Sequence, residues 1–373
     1  MSAAAASSRP PPGRSVLRRL LRDPGAVAAL LVLAAIALAC LAGPRLAGHP
    51  PERAYPDLRQ LPPGLAAQPS AATLRPALDR LAFRMRATVE DASETGGRLR
   101  LVLRAREGGP AIDPRGLVYL PRSDLFGEPV ILAREDEGRR LVVEAPVRRL
   151  RFLLGTDVHG RDLLARSLVA GRVSLLIGLV ATAAALSIGV VYGAVAGMAG
   201  GAVDAAMMRF VDVLHALPFV FFVIVLVVFF RPSLGLILVA VALVEWLDMA
   251  RIVRTQTLSL RRRDFVRAAE ALGLSTPALL RRHIVPNMLG PVTVAATLLV
   301  PRVILLESLL SFLGLGVQEP ATSWGVLVAE GSRALESAPW MVAVPAGLLV
   351  ASLVAMNLLG DALADALAVS RDR

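Results

Sequence analysis

Residues 261–288 read RRRDFVRAAEALGLSTPALLRRHIVPNM, an arginine-rich segment set between two long apolar runs. Phe265, Ala268, Ala269 and Leu272 recur at a three-or-four spacing, which predicts one apolar face on a short helix. Gly273 follows where a helix end commonly needs a left-handed residue, and Leu274 can fold back as the accompanying apolar contact. Thr276 is placed to cap a second helix whose first helical position is Pro277. The spacing thus predicts a helix, a glycine turn and a second short helix ended by Pro286, where the next apolar run begins.

The flanking runs set the class of fold. With 55% hydrophobic residues and a mean hydropathy of +0.60, the chain of 373 residues is a membrane protein. A bilayer core of ~30 Å takes about 20 apolar residues in a helix. Six stretches qualify, near 25–42, 172–197, 213–230, 233–250, 288–312 and 341–363. A hairpin through Arg231, Pro232 and Ser233 is expected between the third and fourth. Arg9, Arg14, Arg18, Arg19 and Arg22 precede the first run, and eight arginines lie between 251 and 282. By the excess of positive charge on cytoplasmic loops, both clusters are cytoplasmic. Six spans then place both termini inside and the segment 314–340 outside. The first run exceeds a usual signal-peptide core, so it reads as a span although Leu38-Ala39-Cys40 faintly resembles a lipoprotein cleavage site.

Composition also excludes chemistry. All 41 basic residues are arginine, so a Walker phosphate loop and a Schiff-base amine are both ruled out. Cys40 is the single cysteine, which excludes an internal disulfide. His49, His159, His215 and His283 lack metal-ligand spacing, and no nucleophile elbow occurs. No metal site and no cofactor of its own is expected. The net charge of +11 sits beside apolar runs without interleaved aromatics, which argues against nucleic acid.

Residues 43–154 form a polar insertion after the first span, expected outside the membrane as a small α+β domain, with a loosely ordered spacer as the alternative. Leu74, Leu78, Leu81 and Met85 have helical spacing, Leu99, Leu101 and Leu103 alternate as in a strand, and 141–143 and 118–120 are further strand candidates. Beyond it, Gly189, Gly193, Gly197 and Gly201 stand four apart, a stripe that lets helices approach closely. Acids in or near the spans are Glu245, Asp248, Glu307, Asp361 and Asp365. Glu245 and Glu307 are candidate functional acids, and the other three read as solvated or paired groups at helix ends.

The opening segment resembles the cytoplasmic coupling loop of ABC importer permeases. Ala268, Ala269, Gly273 and Pro286 match its pattern, and Ile284 stands two residues before the proline. Arg267 departs from it, standing where the family has glutamate, while a glutamate follows at 270. LGTDVHGRDLLARSLVAGRVSLLIG at 154–178, ESLLSFLGLGVQEPATSWG at 307–325 and NLLGDALADAL at 357–367 are similar to segments of the dipeptide, oligopeptide and nickel C-subunit branch.

This resemblance implies an all-α polytopic permease of the type I importer fold, multi-pass in the bacterial inner membrane. It divides the chain into a tail over 1–24, a first span over 25–42, the insertion, and a permease domain over 155–373 carrying the coupling loop 261–286. Its implied partners are a second permease, two cytoplasmic ATPases that bind the ATP, and an extracytoplasmic solute-binding protein. The contact with the ATPase would be carried by Arg267, Ala268, Ala269, Gly273, Ile284 and Pro286. The alternative is an ion-coupled secondary transporter or channel using Glu245 and Glu307. A membrane-anchored assembly factor is the weaker third class.

Overall fold

The computed structural model describes residues 12–230 and 233–371. Arg9 of the amino-terminal cluster and Arg231 and Pro232 of the expected hairpin lie outside the described residues. The chain divides into two compact units: residues up to Gly43 with Ser167–Ala329 and Pro345–Arg373, and Pro44–Arg166 with Glu330–Val344. Helix α1 spans Pro12–Leu20 and α2 spans Pro24–Leu46. Asp23 starts α2 by accepting the Gly25 N–H at 2.9 Å, with Pro24 at the position whose N–H would be unpaired anyway.

The second unit is built on α3 (Ala71–Arg84), β1 (Ala87–Thr95), β2 (Arg98–Ala105), α4 (Tyr119–Arg122), β3 (Val130–Glu135) and β4 (Arg140–Pro146). The strands form one antiparallel sheet in the order β1-β2-β4-β3. Leu78, Leu81 and Met85 of the α3 segment join Leu99, Leu101, Leu103, Leu141 and Val143 in one apolar cluster. Arg98 pairs with Glu144 on the neighbouring strand at 3.0 Å, and Arg140 of β4 reaches past β2 to Glu90 of β1 at 2.9 Å.

Residues 118–120 are helical rather than a strand. Asp113 accepts the Arg115 N–H at 2.9 Å and Pro114 opens a 3-10 turn over Pro114–Val118 that runs into α4. Strands β1 and β3 give no clean alternation in the sequence because both are edge strands, each interrupted by a register shift.

The first unit holds most of the long helices: α5 (Leu163–Ala199), α6 (Gly201–His215), α7 (Phe219–Phe229), α8 (Leu234–Arg261), α9 (Asp264–Ala271), α10 (Thr276–Leu279), α11 (Val285–Phe312), α12 (Trp324–Ser332) and α13 (Trp340–Arg371). Among the described residues, four helical runs are long and apolar enough to cross a bilayer: Pro24–Gly43, Leu163–Ala199, Thr276–Phe312 and Trp340–Ala368.

The candidate span at 213–230 is not one helix. Helices α6 and α7 meet at 77°, with the break at residues 216–218, where Pro218 cannot continue α6. The eleven residues of α7 reach about 16 Å, roughly half a bilayer core. Helix α8 covers the fourth candidate span but carries Glu245, Asp248, Arg251 and Arg254 along its length.

Candidate functional site

Around the opening segment, α9 ends in a Schellman arrangement. The Gly273 N–H donates to the Glu270 carbonyl at 2.9 Å and the Leu274 N–H to the Ala269 carbonyl at 3.2 Å, with Gly273 at φ +81°. The cap of α10 is Ser275 rather than Thr276, so Pro277 takes the second helical position, where its missing N–H is equally harmless. The second helix also does not stop at Pro286. A π turn over Leu280–Ile284 joins α10 to α11, and Pro286 is the second residue of α11, directly behind that turn.

Packing divides the expected apolar face of α9 in two. Val266 and Ala269 are buried in the helical core together with Leu279 and Ile284. Phe265, Ala268 and Leu272 remain exposed at i, i+3 and i+7, with Leu272 82% exposed. Arg267 and Glu270 flank this stripe and are also exposed. The result is a small exposed helix bearing an apolar stripe and fixed from behind by two buried residues.

The glycine stripe lies against α8. A Cβ built on Gly189 would stand 2.6 Å from the Met249 Cβ, one on Gly193 2.9 Å from the Arg254 backbone nitrogen, and one on Gly197 2.7 Å from the Thr257 Cβ. Gly201 is not part of this contact. It has open space around it and, with Gly200, takes positive φ at the bend between α5 and α6.

The candidate acids separate by surroundings. Glu307 of α11 is fully buried among hydroxyls: Ser311 Oγ donates to Oε1 at 2.7 Å and Ser174 Oγ lies 3.4 Å from Oε2. Ser174 also accepts the Trp324 N–H, and the Trp324 indole donates to the Ser167 carbonyl at 2.9 Å. Glu307 thus belongs to a node tying α11 to α5 and α12.

Glu245 of α8 is 1% exposed, and among the described residues its Oε2 has no hydrogen-bond partner. Its Oε1 lies 3.5 Å from Arg302 Nε, and Arg302 Nη1 donates to Asp248 Oδ2 at 2.8 Å. Asp248 is therefore a paired group in mid-helix, not a solvated helix end, while Asp361 and Asp365 are exposed on α13. Arg302 escapes a search restricted to acids; a lone arginine in an apolar run is the signal that finds it.

The motif at 154–162 builds a separate polar cluster. Asp157 is 1% exposed and accepts from the His159 and Arg161 backbone N–H groups and from the Arg161 and Arg166 guanidiniums. Arg166 also meets Glu330 at 2.7 Å. Burial works against the charged form of Asp157, but the Arg161 N–H and the two guanidiniums outweigh it and hold the carboxyl below the usual carboxylate range. Asp162 caps α5 by accepting the Leu164 N–H at 2.9 Å and pairs with His49 at 3.0 Å.

Long apolar helices closely packed on a glycine stripe, with a charge cluster in mid-helix, mark a polytopic membrane protein. The family model "Binding-protein-dependent transport system inner membrane component" matches residues 189–370, and "N-terminal TM domain of oligopeptide transport permease C" matches 11–63. The oligopeptide transport system permease protein OppC of Escherichia coli K12 is 50% identical over 235 residues, which is 63% of this chain and 78% of that protein. The OppC of Bacillus subtilis is 43% identical over 213 residues, 57% of this chain and 70% of that one. Chains of the MetNI methionine ABC transporter in inward-facing conformations give a TM-score of 0.46 at 16% identity, over 54% of this chain and 96% of theirs. The chain belongs to the family of inner-membrane permease components of binding-protein-dependent ABC importers, in the oligopeptide and dipeptide branch. The secondary-transporter reading is thereby overturned, since the relatives are permeases of ABC systems.

Proposed function

We propose that this chain supplies half of the translocation path of an ATP-driven importer for peptides or a similar small solute. A second permease of like fold supplies the other half, two cytoplasmic ATPases drive it, and an extracytoplasmic solute-binding protein delivers the cargo. Both termini and the 261–286 segment are cytoplasmic. The insertion, outside the membrane, is an added contact for the binding protein. The observation that carries the reading is the stripe of Phe265, Ala268 and Leu272, exposed on a helix whose other side is buried. Closure of the ATPases on ATP would move this knob as a rigid body and tilt the spans between outward and inward access. The chain hydrolyses no nucleotide itself, as its lack of lysine supports. The substrate class rests on the relatives, which are oligopeptide permeases.

The test is purification of the tagged chain in mild detergent, with mass spectrometry of whatever accompanies it in near-stoichiometric amount. A second permease and an ATPase are the expected companions. A chain that purifies alone overturns the proposal.

A further inference from the structure

Six ionisable groups on α6, α8 and α11 form a continuous strip within the first unit. Arg302 bridges Glu245 at 3.5 Å and Asp248 at 2.8 Å. Arg251 Nη2 donates to Asp212 Oδ1 at 2.9 Å and Nη1 lies 4.0 Å from Asp248 Oδ1. His215 stands 3.9 Å from the same Asp248 oxygen.

The position of this strip needs an explanation. Asp248 lies about 21 Å along α8 from its start, and Arg302 about 25 Å along α11, so both are remote from the starts of their helices. Both helices lie in the first unit with the apolar candidate spans, yet the Arg302 and Asp212 side chains are 53% and 55% exposed in the free chain. Hydrocarbon cannot solvate such groups, and ionisable side chains at this depth face a water-filled cavity or protein. Beside Arg302 on the same face of α11, Leu298, Leu305 and Leu309 are exposed as well. An apolar wall interrupted by a few charged groups is the usual composition of a small-solute site.

Resting on the importer reading, we propose that this strip lines the aqueous path and takes a solute carrying both an ammonium and a carboxylate, with apolar parts between them. The guanidiniums of Arg302 and Arg251 offer paired N–H donors to the carboxylate. The ammonium goes to Asp212 and Asp248, the acids of the strip that solvent reaches. Because Arg302 and Asp248 already pair with each other, the solute exchanges for an internal partner. Its hold is therefore weak enough for release, as passage through a path requires.

The test uses the full chain with its partners in native membrane vesicles, with buried Cys40 replaced by Cys40→Ser. Asp212→Cys, Arg251→Cys and Arg302→Cys are each exposed to a water-soluble maleimide, with Leu31→Cys and Leu179→Cys, exposed on apolar candidate spans, as controls. Labelling of the strip is expected at least about tenfold faster than of the controls. Trialanine should slow it about threefold or more, and N-acetyl-trialanine amide, which lacks both charges, should not. Asp212→Cys and Arg251→Cys keep the test decisive if Arg302→Cys fails to fold. Strip positions no faster than the controls overturn the aqueous path. Labelling that both peptides slow alike, or neither slows, overturns the zwitterionic solute. Either failure is separate from that of the importer reading, which the co-purification decides.

Discussion

Gly193 of α5 packs directly on the backbone of α8, with the Ala250 carbonyl oxygen and the Arg254 nitrogen occupying the space a side chain would need. Two helices can approach this closely only where one presents hydrogen alone. Gly193→Val is expected to destabilise the purified chain by about 3 kcal/mol or more, because the obstacle is backbone and cannot swing aside. Gly235→Ala, on α8 with open space around it, should be neutral or stabilising by up to about 1 kcal/mol. Thermal unfolding in detergent distinguishes the two.

At Gly273 the constraint is conformational. No atom lies within 4 Å of a built Cβ, yet φ is +81°. Gly273→Val should cost about 1–2 kcal/mol locally and abolish ATP-driven uptake while insertion persists. Gly273→Asn, which tolerates left-handed backbone, should retain most of it. Uptake into vesicles by both variants is the measurement, and normal uptake by Gly273→Val would overturn the role assigned to this turn.

Leu272 makes so little use of the chain's own packing that Leu272→Glu should shift stability by no more than about 0.5 kcal/mol. The same change should reduce the amount of ATPase recovered with the chain by about tenfold, as loss of an apolar anchor does. Val266→Glu, on the buried side, should instead prevent a stable fold.

The Asp157 cluster carries an acid dependence. A carboxyl held below its ordinary value stabilises the fold above about pH 3.9, and that contribution is lost as pH falls through the folded value. Asp157→Asn should cost about 3 kcal/mol at neutral pH by stranding Arg166 beside Glu330 alone. It should also flatten the fall in melting temperature that the parent chain is expected to show below pH 4.

For Glu307, hydrogen bonding rather than charge is what the surroundings use. Glu307→Gln should keep stability within about 1 kcal/mol and preserve uptake, whereas Glu307→Leu should cost about 1–3 kcal/mol by leaving buried hydroxyls unpaired. Uptake by both variants, with and without a proton gradient, gives the comparison.

The sequence by itself determined what depends on local order: the apolar runs, the helix before Gly273 and its left-handed end, the glycine stripe, and the α3, β2 and β4 segments of the insertion. Periodicity and turn chemistry are properties of neighbours along the chain, so they can be read without a fold. Tertiary structure alone decided the rest. A three-or-four spacing says that α9 has an apolar face but not which part turns inward, and packing sent Ala269 to the core while leaving Phe265 and Leu272 outside. The run at 213–230 looked continuous because hydropathy is blind to direction, while Pro218 bent the chain by 77°. The meeting of Arg302 with Glu245 and Asp248 depends on how α8 and α11 cross, and residues so far apart in sequence become partners only through helix packing.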